Sequence, residues 1–280
     1  MLGRLCLGVL LTLTLSACIT PASVKMYADA TKQTADSVKT VAVDYRNICP
    51  TRRAYLLVDD SNPLASCDDV EKLGDALITV STVLSDYGAT LAQLSSGASV
   101  TYVTNTGDLG TAVEAIPAFK NDKEKIAALT QLAQLASSWF GQTYQEKEII
   151  KALSDSHQPI IQVTEALANA MNDVTKEYAA ESVGYKGLVK GFGARPTLGS
   201  DYAVWIMFND WAITRSMALA GKQGAAAALS KQILKIGTTN TDLLNHAKDI
   251  KAKDALQVGI KFYQEASPVW EKVHDAYHKP

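Results

Sequence analysis

The sequence predicts an all-α fold, a bundle of about seven or eight long antiparallel helices in two halves joined by a glycine-rich stretch. Three observations carry this reading. From Val70 the positions Leu73, Leu77, Val80, Leu84, Tyr87, Leu91 and Leu94 alternate steps of three and four without a slip, the seam of a long helix packed lengthwise on another. Apolar residues recur at helical spacing through most of the rest of the chain. The one strand-like run, Val100 to Thr104, has no evident partner, so no sheet is expected.

In chain order, Val24, Tyr27, Thr31, Thr34, Val38, Val41 and Tyr45 give a first helix, to about Asn47, with a weak apolar stripe that needs a better neighbour. The Val70 helix is that neighbour, with Ser66 and Asp69 as a capping box and Gly97 as its stop. Leu109 to Ile116 form a short helix ended by Pro117. Asn121 and Glu124 open a helix running through Ile126, Leu132, Phe140 and Leu153, which Ser154 to Pro159 should break or kink. Ile160, Val163, Leu167, Met171, Val174 and Tyr178 carry the next. In the second half, Ser200 or Asp201 caps a helix to about Gly221, and an alanine-rich helix runs from Gln223 to Ile236 before Gly237. Thr239 with Asp242 then starts another, and Ser267-Pro268 reads as N-cap and first residue of a last one.

The boundary between the halves is placed at Gly184, Gly187, Gly191, Gly193, Pro196 and Gly199, which leave too much backbone freedom for a regular helix. Residues 24–183 and 201–280 are then the two halves, with 184–200 as linker. Lys186, Lys190 and Arg195 among those glycines make an anion cradle conceivable, although no P-loop or dinucleotide fingerprint is present and a hinge is the simpler reading. Beyond the linker Tyr202, Trp205, Phe208 and Trp211 step by three, so they spiral round the helix and no single core-facing stripe holds them all. Central burial between layers is the favoured expectation; the alternative is an exposed partner or ligand surface.

The chain opens on Met1-Leu2-Gly3-Arg4, an apolar run from Leu5, and Leu15-Ser16-Ala17-Cys18. This resembles the lipobox signal of bacterial lipoproteins, and the apolar run is too short for a membrane span. The resemblance covers the first eighteen residues and implies that residues 1–17 are removed. It also implies that Cys18 receives diacylglyceryl and palmitate-type acyl groups, and that residues 18–23 form a lipidated tether. In that family an aspartate after the cysteine favours inner-membrane retention; Ile19 points to the outer membrane, facing the periplasm.

With Cys6 removed and Cys18 lipidated, Cys49 and Cys67 remain, and in an oxidising compartment they are expected to form a disulfide across a loop between helices. A hydrophobic content of 47% with 20% charged residues is globular, and a net charge of −2 provides no field for nucleic acid, which is set aside. Among the histidines only His274 follows a glutamate by three, Glu271, so the paired units of a di-iron bundle are missing. His274 and His278 share a helix face but read as solvated surface rather than a metal site. No nucleophile elbow, zincin or calcium-loop pattern occurs, and no cofactor is implied.

The expected function is therefore a lipid-anchored envelope binding or scaffold protein, without catalysis, that engages another envelope protein. The alternative is a small-molecule or cell-wall-fragment binding protein or hydrolase with an interhelical pocket lined by the aromatics of the Tyr202 helix.

Overall fold

The computed structural model describes residues 21–51, 67–101, 109–142, 146–191, 200–249 and 252–278. They are all-helical, with no strand among them: α1 (Pro21–Arg46), α2 (Asp68–Ser95), α3 (Leu109–Val113), α4 (Lys123–Ser138), α5 (Glu146–Gly191), α6 (Ser200–Asp249) and α7 (Ala252–His278). Cys18 and Ser66 lie outside the described residues.

The heptad seam behaves as its spacing requires. Leu77, Val80, Leu84, Tyr87, Leu91 and Leu94 are fully buried, while Val70 and Leu73 are half-covered at the helix start. α2 runs antiparallel to α1, with Arg46 paired to Asp75 and Asp36 accepting from Ser85. The two backbones close up at Gly88, where a Cβ would stand 2.8 Å from the Ala28 carbonyl oxygen and the Lys32 nitrogen. Gly97 adopts a φ of 77° just past the end of α2, the left-handed stop its sequence position foretells.

α1 is the central element. Every residue of its weak stripe, including Thr31 and Thr34, is buried, and so are Ala28, Ala30, Ala35 and Ala42. α7 covers a second side of it in parallel: Tyr27 stacks on Phe262, the Trp270 indole donates to Thr34, and Gly259 lets α7 approach the Ser23 backbone. Small residues thus explain what the stripe's low hydrophobicity hid, a helix packed on several sides by close backbones.

Several expected helix ends are absent. α5 runs unbroken through Pro159; the Asp155 carbonyl that loses its helical donor there faces the Gln131 side-chain amide at 3.5 Å. The break falls earlier, after α4, where Gly141 takes a φ of 74° and donates to the Val100 carbonyl while the Gln142 carbonyl accepts from the Val100 amide. Asp122 rather than Asn121 caps α4, accepting from the Lys125 amide at 3.1 Å. Pro268 sits inside α7 on an exposed face. Gly221, Gly237 and Thr239 interrupt nothing, because α6 is one helix of 50 residues. At Gly237 a side chain would stand 3.1 Å from the Thr164 hydroxyl, so this glycine serves close packing on α5.

The glycine-rich stretch is likewise helical as far as Gly191; residues 192–199 lie outside the described set. α5 and α6 form a long antiparallel hairpin whose facing pairs include His157 with Asn240, Ala168 with Ser230 and Ser182 with Ser216. One apolar cluster joins the two expected halves, from Val24 through Leu84 and Met171 to Ile233, Phe262 and Val273. The Cys49–Cys67 disulfide closes the α1–α2 connection, with Cα atoms 5.6 Å apart.

Candidate functional site: a two-helix arm

Among the described residues the hairpin outruns the other helices, and its contacts fix where that happens. Near the end of α1, Asp44 accepts a hydrogen bond from the Tyr178 hydroxyl of α5 and pairs with the Lys222 ammonium of α6. Tyr277 of α7 sets its ring edge-on to Tyr178 and lies under the Lys222 ammonium, 5.4 Å from ring centroid to nitrogen. Four helices are therefore tied at one level. From it α5 continues from Tyr178 to Gly191, about 20 Å, and α6 reaches back from Lys222 to Ser200, about 33 Å. This pair of helix ends is the arm.

The base is buried enough to bias its chemistry. Burial first, then the neighbouring Tyr277 and the Asp44 carboxylate, pushes the Tyr178 hydroxyl far above its ordinary range. Tyr277 moves up as well, chiefly through burial. Both phenols therefore stay protonated donors at physiological pH, Tyr178 to Asp44 and Tyr277 to the Lys222 carbonyl.

Within the arm, Ser182 and Ser216 are bonded across the helices, Arg215 donates to the Tyr185 hydroxyl, and Tyr185 packs edge-on against Trp211, which in turn lies beside Phe208. Tyr185, Ala212 and Leu219 are buried at this contact. The other side of α6 is not covered: Val204, Ile206, Met207, Ile213 and Met217 are all at least 44% exposed, and Val183 of α5 joins them at 67%.

Of the sequence-derived surface, Tyr202, Trp205 and Phe208 are half-buried and Trp211 is 40% exposed. The expected central burial of this helix does not occur: among the described residues α5 packs on one side of it and the opposite side is exposed. Lys186 is exposed on α5 and Lys190 lies in its last turn, whereas Arg195 falls outside the described residues. His274 and His278 stack with centroids 5.1 Å apart on the exposed face of α7, and no group of three metal-ligating side chains occurs among the described residues.

Two open grooves lie elsewhere. One of about 400 Å³ between α6 and α7 is lined by Lys235, Asp242, Lys261 and Glu265, and one of about 520 Å³ between α2 and α3 by Lys72, Asp75 and Glu114. Neither is lined by the arm's aromatics. Sequence reasoning missed the Asp44, Tyr178, Lys222 and Tyr277 knot, whose members sit on four helices and share no local pattern.

No protein-family model matches the chain, and no curated protein or solved structure was found to be similar to it.

Proposed function

We propose that this is a lipid-anchored binding or scaffold protein of the bacterial envelope, held on the outer membrane through Cys18 and engaging another envelope protein through the arm. One observation carries the reading: a helical hairpin extends past the other described helices and presents Val204, Ile206, Met207, Trp211, Ile213 and Met217 to solvent. A contiguous apolar face of that kind is costly in water and marks an interaction surface. The placement of the ends supports it. Asp44, at the arm base, is near the C-terminus of α1, whereas the tether precedes Pro21 at the other end of that helix, about 35 Å away. A chain held by its N-terminus thus carries the arm at its far end.

The test is crosslinking in intact cells, followed by pull-down and mass spectrometry, for the native protein, a Cys18→Ala form and a Trp205→Ser/Trp211→Ser form. The reading expects one specific envelope protein, lost from the Cys18→Ala sample and weakened in the double variant while the purified domain keeps its helical content. A partner captured equally well by all three forms would reject the arm and the anchor together.

A further inference from the structure

Independent of the anchor and of the arm, we propose that the core binds a structural water molecule, held by the Tyr27 and Thr31 hydroxyls of α1 and the side-chain amide of Asn240 in α6. All three side chains are fully buried. Their polar atoms, Tyr27 Oη, Thr31 Oγ1 and Asn240 Nδ2, are screened from solvent and have no hydrogen-bond partner in the protein. Buried polar groups left unpaired are rare, because each forfeits its hydration without return. Three of them in one place call for a common partner.

That they share one place follows from their neighbours. Tyr27 and Thr31 are four residues apart on α1 and so lie on one face of it. The Tyr27 hydroxyl has the side chains of Thr31, Asn240 and Tyr87 about it, and Asn240 also faces the Tyr87 hydroxyl. These groups are adjacent, yet none is placed to bond Tyr27 directly. Their other bonding capacity is already committed. Tyr87 is bonded to Ser156 at 2.8 Å, and the Asn240 oxygen accepts from His157 Nδ1 at 3.1 Å, which leaves the amide nitrogen to turn toward α1. Thr31 is the telling member. Thr82, Thr90 and Thr164 each donate to the carbonyl four residues back, a ready outlet for a helical threonine, and Thr31 does not.

Water fits this combination of groups. It accepts from the Asn240 amide, and it both donates to and accepts from hydroxyls, whose own roles are free to adjust. About three partners is the usual complement of a buried water. A bare ion is disfavoured, because none of the three groups carries a charge to balance it. The bridge ties α1 to α6, and beside it the Tyr87–Ser156 bond ties α2 to α5. Together they set how the long hairpin sits against the α1–α2 pair.

The test is oxygen-17 magnetic relaxation dispersion, which counts waters held longer than the protein tumbles, on the purified chain from residue 19 onward, which holds every described residue. Tyr27→Phe/Thr31→Val nearly preserves the shape of the core but removes two of the three ties, so its dispersion amplitude should fall below wild type by the contribution of a single water. Ser156→Ala, which cuts only the direct bond to Tyr87, should leave the amplitude unchanged. Should the double variant fail to fold, Thr31→Val alone, the mildest change, is expected to shorten the residence time. Equal amplitudes in wild type and double variant, an unchanged residence time in Thr31→Val, or a crystal structure in which Tyr27 bonds Asn240 directly would overturn the proposal.

Discussion

Tyr178 donates its hydroxyl to one oxygen of Asp44 at 2.9 Å, and Lys222 takes the other oxygen. Three helices meet in these two bonds, and Lys222 has only 15% of its side chain exposed. Removing the carboxylate leaves a largely desolvated ammonium without its partner. Asp44→Ala should cost about 2 kcal/mol, a fall in melting temperature of about 6 °C for a chain of this size. Tyr178→Phe should cost somewhat less, because the Lys222 pair survives. Thermal melts followed by circular dichroism check both. Equal stability of Asp44→Ala and wild type would mean the knot adds nothing to the arm's footing.

The buried phenols make alkaline pH a second probe. Burial raises the hydroxyls of Tyr27, Tyr178 and Tyr277 above their usual value and brings Tyr87 to about 12. A group whose folded pKa lies above its unfolded one contributes stability that is complete below the unfolded value, about 10 for tyrosine, and lost as pH rises through the folded value. Stability should therefore drop steeply above about pH 10, with tyrosinate absorbance from these residues appearing only as the protein unfolds. Tyr87→Phe should flatten that slope while giving up the 2.8 Å bond to Ser156. On the acid side Asp36 behaves oppositely. Burial alone would raise its carboxyl, but the Lys32 and Ser85 hydrogen bonds outweigh that and hold it low, so its contribution is present above the ordinary carboxylate range and lost as pH falls through its folded value.

What the sequence disclosed was local and periodic. The Val70 to Leu94 seam could be read because a repeat of three and four needs no knowledge of the partner, and its central and later members are buried. Cys49 and Cys67 could be paired by elimination, and they are bonded. Helix ends were misread wherever packing outweighs propensity. A mid-helix proline costs about 3 kcal/mol, yet α5 carries Pro159 through a stretch where Ser156 and Ile160 are fully buried. Gly237 looks like a stop but sits where α6 touches α5. For the aromatic helix, the spacing denied a single stripe, and only the tertiary structure shows which of its sides lies open among the described residues. The knot at the arm base joins residues 134 and 178 positions apart, beyond any local pattern.

The disulfide gives a third prediction. It ties Cys49 to Cys67 across 18 positions, a closure that limits the unfolded chain by about 3 kcal/mol. Reduction, or the Cys49→Ser/Cys67→Ser variant, should lower the melting temperature by about 9 °C, at about 3 °C per kcal/mol, without changing helical content, since the core between α1 and α2 is built mainly from side chains away from the bond, Val38, Leu77 and Leu84 among them. Loss of helix on reduction would show instead that the bond is needed for α1 and α2 to pair.

Glycines separate close packing from chain freedom, and the two kinds should respond in opposite directions. At Gly184 and Gly187 an added Cβ meets nothing within 4 Å, so alanine there should only improve helix propensity, by about 1 kcal/mol each. At Gly88 the same methyl would press into the Ala28 and Lys32 backbone at 2.8 Å. Neither is a side chain that can swing aside, so α1 and α2 must part along a seam that otherwise packs Leu84 and Leu91 without exposure. Gly88→Ala should cost about 2 kcal/mol even after its gain in propensity, while Gly184→Ala/Gly187→Ala should raise the melting temperature. Parallel thermal melts of the three proteins decide it. If Gly88→Ala were the more stable, α1 and α2 would be farther apart than their contacts indicate, and the buried seam would owe little to close backbone approach.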